Sequence, residues 1–280
     1  MFGILFSILG TLFGETSSSI GKSAVKHRYE SVYAMGFLDA LWGAGFFLII
    51  LIFFHHVPLA LFPAWKTLGI RIVFEIIQAY VAVMGVVKAE RSTFGFIRTG
   101  TIPLLLLVDL FLGYTIGPVQ IVGMIVICGA LLFLFMNHGL KGGGLGYVMA
   151  ATVNAVITIS LFKYNISHGN DLVLEQFFIY GVLVVFFYIT SRRLGKEHPF
   201  SLLKKPLLSF QSMTDGIGGI FGSFSYQFAP ASVIIAATRA SSILWSVIFG
   251  RAYFHEKQLK LKSIALLACV IGIILLALPK

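Results

Sequence analysis

Charged residues are scarce in this sequence. Only 11% of its 280 residues are Asp, Glu, Lys or Arg, whereas 58% are hydrophobic, and the mean hydropathy is +0.94. Soluble domains carry about 25% charged residues. A single soluble core cannot bury so much apolar surface, and no long polar stretch interrupts the apolar runs. The sequence therefore predicts an integral membrane protein with many spans and no separate soluble domain.

Several catalytic and cofactor motifs are also missing. The two cysteines, Cys128 and Cys269, lie inside apolar runs, which favours inert thiols over a disulfide or a metal site. The seven histidines lie in loops or near the ends of apolar segments, and no two of them form an H-x-x-x-H pattern. No glycine-rich loop follows a strand pattern, so there is no nucleotide-binding motif. We therefore expect a protein that is not an enzyme and that needs no metal and no cofactor.

Ten apolar segments follow one another along the chain, each long enough to predict a membrane-spanning helix. They begin near residues 3, 32, 68, 91, 119, 145, 173, 208, 230 and 261. The glycine-rich stretch 140–146 separates two halves of five segments each, 1–139 and 145–280. Because five is an odd number, two similar halves must cross the membrane in opposite directions. We therefore predict an all-α membrane protein of ten transmembrane helices, built as two inverted five-helix repeats around a central cavity.

Identities between the halves follow one offset. At a separation of 141 positions, Lys22 matches Lys163 and Arg98 matches Arg239. Chance gives several identities in so apolar a chain, so the matched order of the segments is the stronger sign of duplication. Inverted repeats of this kind are typical of transporters, which handle substrate near the midplane between the repeats.

The positive charges indicate topology. The net charge is +10, yet the basic residues lie mostly in short loops, which argues against nucleic-acid binding. Fifteen of the 21 Lys and Arg residues follow odd-numbered segments, and three (Lys66, Lys163 and Lys280) lie on the opposite side. This bias predicts that the odd-numbered loops are cytoplasmic and that both termini are outside, in a plasma (inner) membrane.

Glu15 is the polar residue that the membrane makes most costly. It lies well inside the first apolar segment, and Thr11, Glu15, Ser19 and Lys22 recur at helical spacing on one face. A carboxylate at such a depth usually faces the interior of a bundle or a water-filled path. We therefore predict that Glu15 lines the cavity and is the candidate for proton coupling.

Arginines and other polar groups lie inside further spans. An arginine in hydrocarbon costs several kcal/mol unless it is paired or meets water, so Arg98 and Arg239 are predicted to line the same cavity. The remaining predicted cavity residues are Glu75, Gln78, Asn154, Asp215 and Trp245.

Structural roles compete with these assignments. Glu75 follows Arg71 by four positions, which equally suits a structural ion pair. Glu175 opens the seventh segment, where an acid favours the helix dipole. Asp109 lies near the end of its segment and also suits an interfacial position, and Trp245 also suits packing against lipid.

Three stretches carry a resemblance to a known family. The stretches AERSTFGFIRTGTIPLLLL (89–107) and APASVIIAATRASSILWSVIFG (229–250) resemble the fourth helix of each half in the EamA-type ten-helix branch of the drug/metabolite transporter superfamily. The stretch FHEKQLKLKSIALLACVIGIILL (254–276) resembles its closing pattern, with Glu256 as the loop acid. The first half departs from it, because Thr115 stands where the loop acid belongs. The first helix, with Glu15 ahead of Lys22, also resembles that of the four-helix small multidrug exporters, which implies alternate binding of proton and substrate at Glu15.

Together these features predict a secondary active transporter of a small polar metabolite, such as an amino acid or an organic anion, that works by alternating access. Export is the direction that the resemblance implies. The expected partners are the small-molecule substrate and the lipid bilayer, and the protein is expected to be a monomer or a homodimer. The alternative is a carrier or flippase for a lipid-linked sugar or a lipid head group, which predicts a lateral opening toward lipid.

Overall fold

The protein is all-helical wherever its structure is described. A computed structural model describes residues 1–54, 63–89, 94, 97–136, 143–254 and 259–278, and no strand occurs among them. Its α-helices are α1 (Phe2–Lys26), α2 (Val32–Phe54), α3 (Trp65–Lys88), α4 (Thr101–Phe111), α5 (Pro118–Met136), α6 (Leu145–Ser167), α7 (Leu172–Thr190), α8 (Pro199–Leu202), α9 (Pro206–Phe228), α10 (Ala231–Phe254) and α11 (Leu259–Ala277). A short π-helical turn, Ser191–Gly195, extends α7.

The all-α prediction is confirmed, and a helix lies in each of the ten predicted segments. The additional helix is the short α8, in the basic loop before α9. The predicted loop acid Glu256 and positions 140–142 of the glycine-rich stretch lie outside the described residues.

Within the described residues, four helical stretches are long and apolar enough to cross a membrane: Val32–Phe54, Trp65–Lys88, Leu145–Ser167 and Leu172–Gly195. Shorter apolar stretches occupy Pro118–Phe133 and Leu267–Ala277. Helices α1 and α9 are of spanning length, but Glu15, Asp215 and their many serines and glycines make them more polar.

Exposed apolar side chains cover the outside of the bundle. On α11, Ile264, Leu267, Ile271 and Ile274 recur at steps of three or four, and each is at least 45% exposed. That spacing places them on one outward face of the helix. Such a surface is unfavourable in water but suits hydrocarbon, as expected for a chain with several apolar helices of spanning length.

Helices of one half pack mainly against helices of the other half. α1 packs against α9, and correspondingly α3 packs against α6. α2 pairs with α7, α5 with α11 and α4 with α10. Exchanging the first five segments with the last five leaves this set of pairs unchanged, so these five contacts are symmetric between residues 1–139 and 145–280.

Glycines set the distance between α1 and α9. A Cβ atom placed on Gly10 would lie 3.0 Å from the carbonyl oxygen of Gly218, and one placed on Gly218 would lie 2.9 Å from that of Gly10. Because the obstructing atoms belong to the backbone, a side chain at either position must push the helices apart. The two polar helices therefore cross in close backbone contact, which fixes the relative positions of Glu15 and Asp215.

Candidate functional site

A cluster of charged groups joins α1 to α10 and to the segment before α4. The Ser242 hydroxyl donates a hydrogen bond to the Glu15 carboxylate. Arg98 and Arg239 both interact electrostatically with Glu15 and with Tyr226 of α9. We call Glu15, Arg98, Tyr226, Arg239 and Ser242 the arginine cluster. The sequence-predicted residues Glu15, Arg98 and Arg239, which come from three separate segments, are brought together here.

The guanidinium groups of the arginine cluster retain unused hydrogen-bond donors. The Nε of Arg98, and the Nε and Nη2 of Arg239, are buried and donate no hydrogen bond to any described residue. The guanidinium of Arg98 instead lies 5.1 Å from the centre of the Phe94 ring. Buried donors left unpaired cost free energy, so most native structures satisfy them. Both arginines keep some accessible surface.

Trp245 lies next to this cluster and joins two helices. Its indole Nε1 donates a 3.1 Å hydrogen bond to the carbonyl of Ile8 on α1. Two turns closer to the start of α10, Thr238 and Ser7 share a 2.7 Å hydrogen bond between hydroxyls. These contacts hold α10 against α1 on either side of Arg239.

Gln78 and Asn154 form a hydrogen bond between two helices. The Asn154 amide donates to the Gln78 side-chain oxygen at 3.0 Å and to the Phe74 carbonyl at 2.8 Å. Both donors of Asn154 are therefore used within the protein, and they connect α6 with α3. This pairing favours a structural role for two residues that the sequence assigned to the cavity.

Glu75 belongs to a separate buried network around Arg71. Arg71 is only 2% exposed, and it donates to Glu75 at 3.0 Å and to Gln176 at 3.0 Å. It also pairs with Glu175, which is fully buried and receives further hydrogen bonds from Asn165 and Asn170. Of the two interpretations of the Arg71–Glu75 spacing, the structural ion pair is the one this geometry favours.

The network corrects the assignment of Glu175 as a cap. Asp171 is the residue before α7, and its carboxylate accepts a 2.8 Å hydrogen bond from the Leu174 amide. Glu175 lies one turn further on and turns inward to Arg71. An acidic residue in the first turn of a helix interacts favourably with the helix dipole in whichever direction its side chain points. Sequence position alone therefore does not show which of the two acids, Asp171 or Glu175, caps α7.

Asp109 and Lys163 stabilise the junction between α9 and α10. Asp109 is 1% exposed, and its carboxylate accepts a 2.7 Å hydrogen bond from the Ser232 amide in the first turn of α10. The Lys163 ammonium donates to the carbonyls of Tyr226 and Ala229 at 2.5 and 3.1 Å. Asp109 therefore lies among helices near the end of its segment, where the approach of α10 buries its carboxylate.

Asp215 meets a second acid that sequence reasoning missed. It interacts with the Ser17 side chain and, electrostatically, with Asp39 of α2. The sequence does indicate Asp39, because a carboxylate seven positions into an apolar segment is as costly in a membrane as Glu15 is. Tyr226 had no comparable signal, because a single tyrosine in an apolar run is ordinary.

Glu30 is a buried acid outside the spans, in the turn between α1 and α2. It is 3% exposed, and its carboxylate oxygens accept no hydrogen bond from the described residues. Burial and the nearby Glu197 raise the pKa of Glu30 to about 8, although Lys205 lowers it in part. Glu197 itself accepts a 3.1 Å hydrogen bond from the Ser31 amide.

Comparison with known proteins shows the fold. No family model and no curated protein matches the sequence. Solved structures do match, and one of them, described only as a crystal structure of a protein, covers 96% of this chain and 98% of its own with a TM-score of 0.63. The two sequences are 13% identical. At that identity the likeness shows that the whole chain adopts a known fold, and nothing more.

Proposed function

We propose that this protein is a secondary active transporter of a small polar metabolite that carries a carboxylate, such as an amino acid or an organic anion. It binds the solute at the arginine cluster and exposes it to each side in turn. The resemblance of residues 89–107 and 229–250 to the EamA-type branch of the drug/metabolite transporter superfamily supports this proposal. Export remains the proposed direction.

The observation that carries the proposal is the set of unused donors on Arg98 and Arg239. Guanidinium groups match the geometry of carboxylates and bind them with paired hydrogen bonds. The cluster holds two arginines against one glutamate, so its formal charge is positive and suits an anionic group. An amino acid would add an ammonium group, for which Glu15 and the Tyr226 ring are the nearest partners.

We propose that Glu15 also couples transport to protons. Glu15 offsets the charge of the two arginines when no substrate is present. The ammonium group of an amino acid and a proton would compete for the Glu15 carboxylate, so that each binds when the other has left. Such alternate binding is the requirement for exchanging a proton against an exported substrate.

The architecture we propose is the inverted repeat of residues 1–139 and 145–280. The exchange-symmetric helix pairs support it, as does the distribution of Lys and Arg among the loops. In this arrangement both termini face outside. Single cysteines at the exposed Ser201 and Ser167 test it, because an impermeant maleimide added to intact cells should label only Ser167→Cys.

Transport in proteoliposomes tests the function. Labelled amino acids, organic anions and nucleosides are offered with and without a pH gradient to the wild type, Arg98→Gln, Arg239→Gln and Glu15→Gln. Each arginine variant should raise the KM at least tenfold, whereas the exposed Arg193→Gln should transport normally. Glu15→Gln should transport without responding to the pH gradient. Undiminished transport by both arginine variants would overturn the assignment of the site.

The lipid-carrier alternative has one structural feature in its favour. A groove between α3 and α7 opens on the outer surface, and the side chains that line it are apolar; they are Ile76, Phe177, Phe178, Gly181, Val182, Val185 and Phe186. An acyl chain fits such a lining, but no polar member of the arginine cluster borders it. Failure to move any soluble solute, together with movement of a labelled lipid head group, would establish this alternative.

A further inference from the structure

A buried glutamine lies between two helices and contacts both through one nitrogen. Gln211 of α9 is 0% exposed. Its Nε2 donates to the Asp39 carboxylate of α2 at 2.9 Å and to the Ser17 hydroxyl of α1 at 2.8 Å. A carboxylate oxygen and a hydroxyl oxygen can both accept hydrogen bonds, which agrees with the nitrogen of the amide facing Asp39 and Ser17.

The oxygen of the same amide is left over. Gln211 Oε1 is buried and accepts no hydrogen bond from any residue in the described part of the chain. A buried acceptor without a donor costs free energy and calls for an explanation. The nitrogen of the same amide lies next to an acid and a hydroxyl, so the Gln211 side chain lies in a region rich in hydrogen-bond acceptors.

A second carboxylate completes this environment. Asp215, one turn along α9 from Gln211, interacts with Ser17 and with Asp39. The other titratable groups that face the pair are Glu30, which interacts with Asp39, and Tyr180 of α7, which interacts with both aspartates. Among the described residues, no arginine or lysine is one of the main interaction partners of Asp39 or Asp215. Two adjacent carboxylates inside a helix bundle need a compensating positive charge.

We propose that Ser17, Asp39, Gln211 and Asp215 form a binding site for a monovalent cation, either a proton or sodium, between α1, α2 and α9. Carboxylate, amide and hydroxyl oxygens are the hard ligands that such ions prefer. A divalent metal is a poorer fit, because no group of three or more His, Cys, Asp and Glu side chains in the described ranges is arranged to hold one. Both aspartates retain some accessible surface, as a site that exchanges its ion requires.

Helix α1 separates this cation site from the arginine cluster. Ser17 and Glu15 are two positions apart, and about 100° of rotation per residue places them on nearly opposite faces. A small rotation of α1 driven by ion binding on one face would therefore move Glu15 on the other. This coupling role rests on the proposed transport function, whereas the cation site itself does not.

Ion-dependent thermal stability of the purified full chain in detergent tests the site without any substrate. The unfolding midpoint is followed while sodium replaces choline at constant ionic strength, and in a second series while the pH is changed. The pH series uses a Glu30→Gln background, because Glu30 titrates on its own. A ligand that binds only the folded state raises the midpoint as its concentration rises.

Three Asp→Asn variants supply the comparison. Asp39→Asn and Asp215→Asn each remove one charge of the pair, and we expect each to raise the midpoint in choline and to abolish its ion dependence. Asp171→Asn is the matched control, because asparagine also caps helices well and this position lies at the start of α7. It should keep the wild-type ion dependence. The two pair variants report independently, so the test survives if one of them fails to fold.

The outcomes distinguish the two ions and the two proposals. A sodium-dependent rise that both pair variants lose identifies sodium as the ligand. A midpoint that is indifferent to sodium, but whose pH dependence both pair variants lose, identifies the proton. Dependence on neither ion, or dependence that survives in both variants, overturns the site. Transport that is absent although the ion-dependent shift is present would overturn only the proposed function.

Discussion

Lys22 and Lys163 lie 141 positions apart, and each donates to the carbonyl that ends the third helix of its own half. Lys22 Nζ bonds the Ala89 carbonyl at 2.7 Å, where Ala89 is the C-cap of α3. Lys163 Nζ bonds the Ala229 carbonyl at 3.1 Å, where Ala229 is the C-cap of α9. A cation at a helix C-terminus pairs with unsatisfied carbonyls and with the negative end of the dipole. The two lysines thus serve the same structural purpose at the ends of two different helices.

Lys163→Met should destabilise the protein more than Lys22→Met does. Lys163 is 8% exposed and bonds two carbonyls, so its loss leaves two acceptors unpaired in a buried place. We expect a cost of about 2–3 kcal/mol for Lys163→Met and about 1 kcal/mol for Lys22→Met. Chemical unfolding monitored by circular dichroism measures both, with Lys66→Met at an exposed position as the control. Equal losses for the two lysines would contradict this account.

Arg71→Met should be among the most damaging single substitutions. It leaves the fully buried Glu175 without its counter-charge, and removing one partner of a buried pair costs about 3–5 kcal/mol. Combining Arg71→Met with Glu175→Met removes both charges and should recover part of that loss. Yield and unfolding midpoint of the three variants provide the measurement. A double variant no better than Arg71→Met would show that the network acts through its other hydrogen bonds.

Glu30→Gln should stabilise the protein increasingly as the pH rises. The folded-state pKa of about 8 exceeds the ordinary value of 4.5, so folding is favoured at low pH and is penalised as the pH rises between these two values. The free energy of unfolding of the wild type should therefore fall by up to about 1.4 kcal/mol per pH unit in that window. Unfolding curves at pH 5, 6.5 and 8 check this, and the Gln variant should show a shallower fall. An identical pH dependence in both proteins would exclude Glu30 as its source.

Gly10→Ala should weaken the crossing of α1 and α9. The added Cβ would meet backbone atoms of Gly218 and Gly222 at 3.0 Å, and the helices must separate to admit it. We expect a loss of about 1–3 kcal/mol in the free energy of unfolding. Gly14→Ala is the matched control on the same helix, because a Cβ there has nothing within 4 Å. The control should be neutral, or more stable by up to about 1 kcal/mol, since alanine favours helices over glycine.

The sequence predicted the helices well because each arises from a local apolar run. The segments expected near residues 32, 119 and 145 begin as helices at Val32, Pro118 and Leu145. Placing Glu15 inside a helix was equally local, since only the surrounding residues matter. Sequence reasoning overlooked Asp39, although the argument that singles out Glu15, a carboxylate inside an apolar run, applies equally to it.

The identity of each polar residue's partner lay beyond sequence reasoning. Helical periodicity predicts the face of the helix on which Asn154, Asp215 or Arg239 lies. It does not predict which residue of another helix each of them contacts. In the structure Asn154 donates a hydrogen bond to Gln78, whereas Asp215 interacts electrostatically with Asp39, and Arg239 with Glu15.

By itself, then, the sequence determined the all-helical architecture and the burial of charge within it, because hydrophobic runs and their period are local properties. The tertiary structure alone decided that one acid meets two arginines while two others meet each other. That choice depends on which helices cross closely, and it is made by contacts between residues such as Gly10 and Gly218, which lie far apart in the chain and at van der Waals distance in the fold. Charge placement is therefore a consequence of packing, which no single segment encodes.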